Sequence, residues 1–199
     1  MTIISPGLIE NLQNNGVVVY PTSTLPGLGC LPNKLALDNL YSLKNRPAEQ
    51  PVSLGVADLE QAAELVEIPK IAEDLLMAFP RGSLTLILDA VRKLDDRLGG
   101  KRVAVRVLAD VRAIELVKIV GPITATSANE SGVLPECDTE VAARKLGVEN
   151  FIPGVCPNGL GSTFVKFERD STEELGWRIT IIREGVVPQI DIMKWILSK

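Results

Sequence analysis

Three stretches of this chain collect hydroxyls, amides and small residues beside apolar runs. Pro21-Thr22-Ser23-Thr24-Leu25-Pro26-Gly27-Leu28-Gly29 follows the run Val17 to Tyr20, and Thr126-Ser127-Ala128-Asn129-Glu130-Ser131-Gly132 follows another that begins at Pro122. Gly159-Leu160-Gly161-Ser162-Thr163 leads into a third. In α/β sheets such strand-end loops bind ligands, and hydroxyls with glycine amides suit an oxyanion or an amino-acid backbone. Each stretch taken alone is equally an ordinary turn, because Thr, Ser, Asn, Pro and Gly are turn residues. Several of them converging on one sheet edge read as a nucleotide pocket. The first lacks the GK[ST] ending of a Walker A loop and is no GxGxxG fingerprint.

Two cations stand one residue apart in Lys44-Asn45-Arg46-Pro47. At a helix end they complement the dipole. If Pro47 stops the helix abruptly, they leave in an extended segment aimed at the sheet and can clamp carbonate or phosphate oxygens, the arginine in bidentate fashion. Ser127 and Asn129, two apart in an extended stretch, are expected on one side, presenting a hydroxyl and an amide together. Arg106 shares a strand face with Arg102 and Ala104, opposite Val103, Val105 and Val107, so that face is solvent or pocket.

The absence of histidine removes the Ser/His/Asp triad, the Cys/His dyad and histidine-ligated zinc. Cys30, Cys137 and Cys156 are odd in number and widely spaced, so they read as free thiols, and no protein-ligated metal is expected. The net charge of −4 argues against a surface that holds duplex nucleic acid by neutralising many phosphates. Aromatic residues make up 4%, too few for a stacking platform. No apolar run approaches the roughly 20 residues that cross a bilayer, and the first 15 residues do not read as a secretory signal, so a cytoplasmic location is expected.

The elements that must position these groups alternate irregularly. Helices are expected at Ser5 to Gly16, Leu35 to Lys44, after Asp58, from Pro69 to Phe79, from Asp110 to Val120, after Asp138 or Thr139 and after Pro188. Strands are expected at Val17 to Tyr20, Val52 to Val56, Ser83 to Ala90, Arg102 to Leu108, Pro122 to Thr126, Ser162 to Phe167 and Trp177 to Arg183. The pattern predicts a single α/β domain over residues 1–199, with a twisted mixed β-sheet flanked by helices and a concave ligand cleft.

The loops quoted above, in order with Phe79-Pro80, Leu84-Thr85-Leu86, Val103 to Val107, Ser162-Thr163 and Ile182-Arg183-Glu184-Gly185, resemble the YrdC-like family over nearly the whole chain. The resemblance implies a threonylcarbamoyl-AMP synthase in its short single-domain form. Such enzymes condense L-threonine, bicarbonate and ATP, with Mg²⁺, into the carbamoyl donor for threonylcarbamoyladenosine in tRNA. By position, it implies that Thr22, Arg106, Thr126 and Ser162 bind threonine and bicarbonate. It implies that Lys44 and Arg46 are catalytic and, with Ser127, Asn129 and Arg183, hold the nucleotide. Partners implied are weakly bound tRNA and the threonylcarbamoyl-transferase proteins that use the product, with no membrane. Ser23, Leu25 and Pro26 depart from the family's PT-acidic-T-V-aromatic-G loop, and Gly55 stands where many relatives place a histidine. Two other readings stay open: a non-catalytic RNA- or ribosome-binding module, and a carbamoyl-adenylate enzyme with a different acceptor.

Overall fold

The computed structural model describes residues 4–157 and 159–199. In chain order these form α1 (Pro6–Gln13), β1 (Val18–Tyr20), β2 (Gly27–Gly29), α2 (Lys34–Leu43), β3 (Leu54–Val56), α3 (Leu59–Ala63) and α4 (Lys70–Ala78). There follow β4 (Leu84–Asp89), β5 (Arg102–Val107), α5 (Val111–Val120), β6 (Ile123–Thr124), β7 (Thr126–Ser127), α6 (Thr139–Leu146), β8 (Thr163–Arg169), β9 (Trp177–Arg183) and α7 (Gln189–Ile196). The caps explain many of the helix starts. Ser5, Asn33, Asp58, Asp110 and Asp138 each accept a backbone N–H from the first turn that follows.

A six-stranded mixed sheet runs in the order β6-β3-β5-β4-β8-β9. β3 pairs in parallel with β5 and β4 with β8, while the remaining neighbours are antiparallel. Leu84, Leu86, Leu88, Val103, Val105, Val165 and Phe167 send their apolar face into the main core. A second core joins α1 to α5 through Leu8, Leu12, Ala113, Leu116 and Val117. The α/β class and the mixed sheet agree with the sequence reading.

Three details differ from it. β1, β2 and β7 make a small antiparallel sheet of their own, and β2 falls inside what reads as a loop. The run expected as one strand from Pro122 to Thr126 divides at Ala125. Its first half pairs with β3, its second with β2, and the Ala125 N–H donates to Ser53 O at 2.7 Å. At α1 the left-handed residue is Asn15 (φ 65°) and not Gly16, whose N–H closes back onto Asn11 O at 2.8 Å.

Candidate functional site

The small sheet, the segment leading into β3, the end of β5, the start of β8 and the end of β9 surround a cavity of about 360 Å³. Arg106 is the most deeply set cation in its wall, 6% exposed. Its Nε donates to Gly82 O at 2.8 Å, and its Nη2 donates to Thr24 Oγ1 at 2.8 Å and more distantly to Ser23 Oγ at 3.4 Å. All three acceptors are neutral. Burial holds the guanidinium below its usual pKa, and the nearby Arg183 adds a smaller push the same way. The face of β5 that carries Arg106 is therefore pocket at this position.

Thr24 owes its place to the turn before it. Thr22 Oγ1 donates to Leu25 O at 2.7 Å and accepts the Thr24 N–H at 3.0 Å, a hydroxyl-closed turn that fixes Thr24 over Arg106. The Thr22 N–H in turn donates to Cys156 Sγ at 3.3 Å. Thr22, Thr24 and Leu25 all line the cavity. Gly55, by contrast, lies away from it. A Cβ there would meet the Leu108 side chain at 3.1 Å, so the position is covered by the residue that follows β5 and opens no extra space.

The Lys44-Asn45-Arg46 segment is not extended. Lys44 caps α2 in a helical conformation, Asn45 is left-handed (φ 49°), and the Arg46 N–H closes back onto Tyr41 O at 3.0 Å. That reversal sends the two cations to different places. Arg46 lines the cavity, its Nε and Nη2 held by Gln50 O at 2.8 Å and Pro51 O at 3.1 Å. Lys44 is 1% exposed and lies behind the wall. Its Nζ donates to Ser127 O and Asn129 O, both at 2.5 Å, while its own carbonyl accepts the Ser131 N–H at 3.0 Å. Lys44 thus clamps the 127–131 loop from beneath. Burial, and secondarily Arg46, pulls its pKa down to about 8.

Thr126 and Ser127 line the cavity. Asn129 does not share their side, because the extended run stops at Ser127 and the Asn129 N–H turns back onto Ser127 O at 3.0 Å. The Asn129 amide donates instead to Glu130 O and Val133 O, beside a smaller cavity of about 220 Å³. On the far wall, Arg183 lies opposite Phe164 in the β8–β9 register and stacks on its ring at 4.3 Å. Its Nη2 donates to Ser162 O at 3.0 Å, and Ser162 Oγ shares a 2.7 Å hydrogen bond with the buried Thr85 hydroxyl. Arg183 also sits below its usual pKa, through burial first and Arg46 second.

Eight of the nine site residues expected from sequence therefore meet around one cavity or, in the case of Lys44, directly behind its wall, while Asn129 faces elsewhere. Tyr20, Thr24, Ser53 and Phe164 also line it. Thr24 and Phe164 each lie two residues from an expected site residue on the same strand or loop, which is the spacing that could have found them. Among the described residues, none of Arg46, Arg106, Arg183 and Lys44 has an ion pair with a carboxylate. Arg97, Arg102 and Arg112 elsewhere all do. The one carboxylate in the lining, Glu184, accepts the Gln189 N–H at the start of α7 at 2.7 Å. Fixed cations outside any ion pair, in a site of this size, are arranged for a polyanionic ligand.

The family model named Sua5/YciO/YrdC, described as telomere recombination, matches residues 10–185. A threonylcarbamoyl-AMP synthase of Idiomarina loihiensis is 41% identical over 128 residues, 60% of this chain and 68% of the relative. One of Bacillus subtilis is 35% identical over 159 residues, 75% of this chain and 45% of the relative. The crystal structure of Pyrococcus abyssi Sua5 complexed with L-threonine superposes with a TM-score of 0.82 at 31% identity. That match covers 94% of this chain and 56% of the Sua5 chain. Escherichia coli YciO shares the fold, with a TM-score of 0.75 at 24% identity over 92% of this chain and 89% of the other.

Proposed function

The chain belongs to the Sua5/YciO/YrdC family, and on that premise we propose that its cleft makes threonylcarbamoyl-AMP from L-threonine, bicarbonate and ATP. The observation that carries this reading is the set of three guanidinium groups, Arg46, Arg106 and Arg183, converging on one cavity, none of them in an ion pair with a carboxylate among the described residues. The names of the relatives and the threonine-bound Sua5 structure support the substrate class.

In this scheme the threonine carboxylate pairs with Arg106, whose Nε and Nη2 are already fixed by Gly82 and Thr24. Thr22, Thr126 and Ser162 shape the space around the amino acid. The threonine amine attacks the carbon of bicarbonate, water leaves, and a carbamate forms. A carbamate oxygen then attacks the α-phosphorus of ATP and pyrophosphate departs. Two anions must approach one another, so Arg46 and Arg183 supply the opposing charge, and catalysis is positioning plus electrostatic stabilisation. Phe164, held against Arg183, offers an apolar face for the adenine or ribose. Lys44 serves by holding the Ser127 and Asn129 carbonyls where the loop needs them.

Mg²⁺ enters as part of the nucleotide substrate. Among the described residues no cluster of three acidic or thiol groups is placed to hold a metal ion. The product passes to the threonylcarbamoyl-transferase proteins that act on tRNA, and tRNA itself binds weakly to a chain of net charge −4. The setting is the cytoplasm; among the described residues no helix is long and apolar enough to cross a membrane. Pyrophosphate release, measured with ATP, Mg²⁺, bicarbonate and each amino acid in turn, tests the proposal. Threonine is expected to give the highest rate. A higher rate with another amino acid overturns the substrate, and no amino-acid-dependent release overturns the reaction.

A further inference from the structure

Cys137 and Cys156 are 19 positions apart in sequence but opposed in space. Asp138 and Val155 form an isolated antiparallel bridge, flanked on one side by Thr139 N–H to Gly154 O at 3.0 Å and on the other by Cys156 N–H to Cys137 O at 2.8 Å. That register sets Cys137 opposite Cys156, joined by the single backbone hydrogen bond from Cys156 N–H to Cys137 O. Facing residues of this kind have Cα atoms about 5.5 Å apart and side chains on one face of the ribbon. A disulfide needs a separation of roughly 4.4–6.8 Å. The two thiols also differ in access. Cys137 is partly exposed, whereas Cys156 is 4% exposed and accepts the Thr22 N–H at 3.3 Å.

We propose that Cys137 and Cys156 form a reversible disulfide that switches the amino-acid pocket off through Thr22. The oxidant is hydrogen peroxide. Cys137, the accessible sulfur, attacks the peroxide, the O–O bond breaks, and one water leaves a sulfenic acid on Cys137. Cys156 sulfur then attacks that sulfur, the S–S bond forms, the S–O bond breaks, and a second water leaves. Two thiols lose two electrons to one peroxide. Burial raises the Cys156 thiol's pKa, which fits its part as the second sulfur to react.

The consequence follows from what Cys156 holds. To bond Cys137, its sulfur turns away from the Thr22 N–H and leaves that donor without its acceptor. Thr22 Oγ1 closes the turn that sets Thr24, and Thr24 Oγ1 fixes Arg106. The link between the disulfide and threonine affinity rests on the functional reading given above. The disulfide itself does not.

The test oxidises the full-length protein with hydrogen peroxide, unfolds it, and alkylates the remaining thiols before intact-mass and tryptic analysis. Of the three cysteines, only Cys30 should then accept the alkyl group, with the Cys137 and Cys156 peptides joined. In the native oxidised enzyme the KM for threonine should rise several-fold with the KM for ATP little changed, and dithiothreitol should reverse both mass and KM. Cys137→Ser should keep the reduced enzyme's activity and resist peroxide. Three alkylatable cysteines after oxidation overturn the pairing. A joined pair with unchanged threonine KM, or a Cys137→Ser enzyme inhibited as fully as the parent, overturns the switch. The mass readout needs no turnover, so an inactive reduced protein refutes the functional reading and leaves the cross-link to be decided on its own.

Discussion

Replacing Arg106 by methionine separates binding from folding. The guanidinium is 6% exposed and meets only neutral acceptors, Gly82 O, Thr24 Oγ1 and, at 3.4 Å, Ser23 Oγ. Losing two hydrogen bonds donated by a charged group costs roughly 1.5–3 kcal/mol each. Removing a buried charge that has no counter-ion returns several kcal/mol of desolvation. The chain with Arg106→Met should therefore fold with its stability within about 2 kcal/mol of the parent, on either side. Threonine binding should not survive. Charge-assisted contacts are each worth roughly 1.5–3 kcal/mol, so losing a two-point carboxylate pair should raise the threonine KM about a hundredfold or more. The assay is a melting curve with and without threonine, beside steady-state pyrophosphate release with threonine and ATP varied separately. The parent should melt higher in threonine and the variant should not. A melting temperature lowered by more than about 5 °C together with an unchanged threonine KM would refute the reasoning and make Arg106 a structural cation.

Lys44 gives a pH dependence of stability. Its folded pKa is lowered to about 8 from an unfolded value of 10.5, so between those values the unfolded chain holds the proton and the folded one does not. Stability from this residue therefore rises with pH through that window, by up to roughly 3 kcal/mol, with the full penalty present below about pH 8. Cys30, raised to about 12 from 9.0, acts in the opposite sense above pH 9. The comparison is thus the difference between parent and Lys44→Met in denaturant titrations, and a difference that does not change from pH 7 to 10 would contradict the buried-cation account. Lys44→Met should also speed amide hydrogen exchange at Ala128 and Ser131, which Arg46→Ala should leave alone. Arg46→Ala should lower adenylate synthesis about tenfold or more with folding intact, since its guanidinium holds only loop carbonyls, Gln50 O and Pro51 O. Unchanged turnover would return Arg46 to a loop-holding part.

What the sequence shows and hides can be traced to particular residues. β5 and β9 are legible because Val103, Val105 and Val107 alternate with Arg102, Ala104 and Arg106, and Ile179 and Ile181 with Arg178 and Thr180. β2 is hidden because two of the three residues in Gly27-Leu28-Gly29 are glycine, which strands disfavour. Its glycines answer to packing instead. A Cβ at Gly27 would come within 2.6 Å of the Tyr20 ring, and one at Gly29 within 2.8 Å of Ile123. The fully buried Tyr20, whose hydroxyl donates to Thr124 O at 2.9 Å, thus dictates the glycines across from it. The types and order of the cations were legible, but their directions were not. A single left-handed residue, Asn45, separates Arg46 in the cavity from Lys44 beneath the loop, and a turn at Asn129 takes that amide away from Ser127. Phe164 opposite Arg183 depends on a β8–β9 register that shifts at a bulge next to it, which no local pattern shows.

The most direct measurement of the central claim is the mass of the nucleotide product. Purified protein is incubated with ATP, Mg²⁺, threonine and isotopically labelled bicarbonate, quenched, and the nucleotides are separated and weighed. The account predicts an adenylate that carries the mass of threonine plus one labelled carbon, formed in step with pyrophosphate and missing from Arg106→Met at the same threonine concentration. ATP consumed to AMP or ADP with no labelled carbon in any adenylate would contradict it.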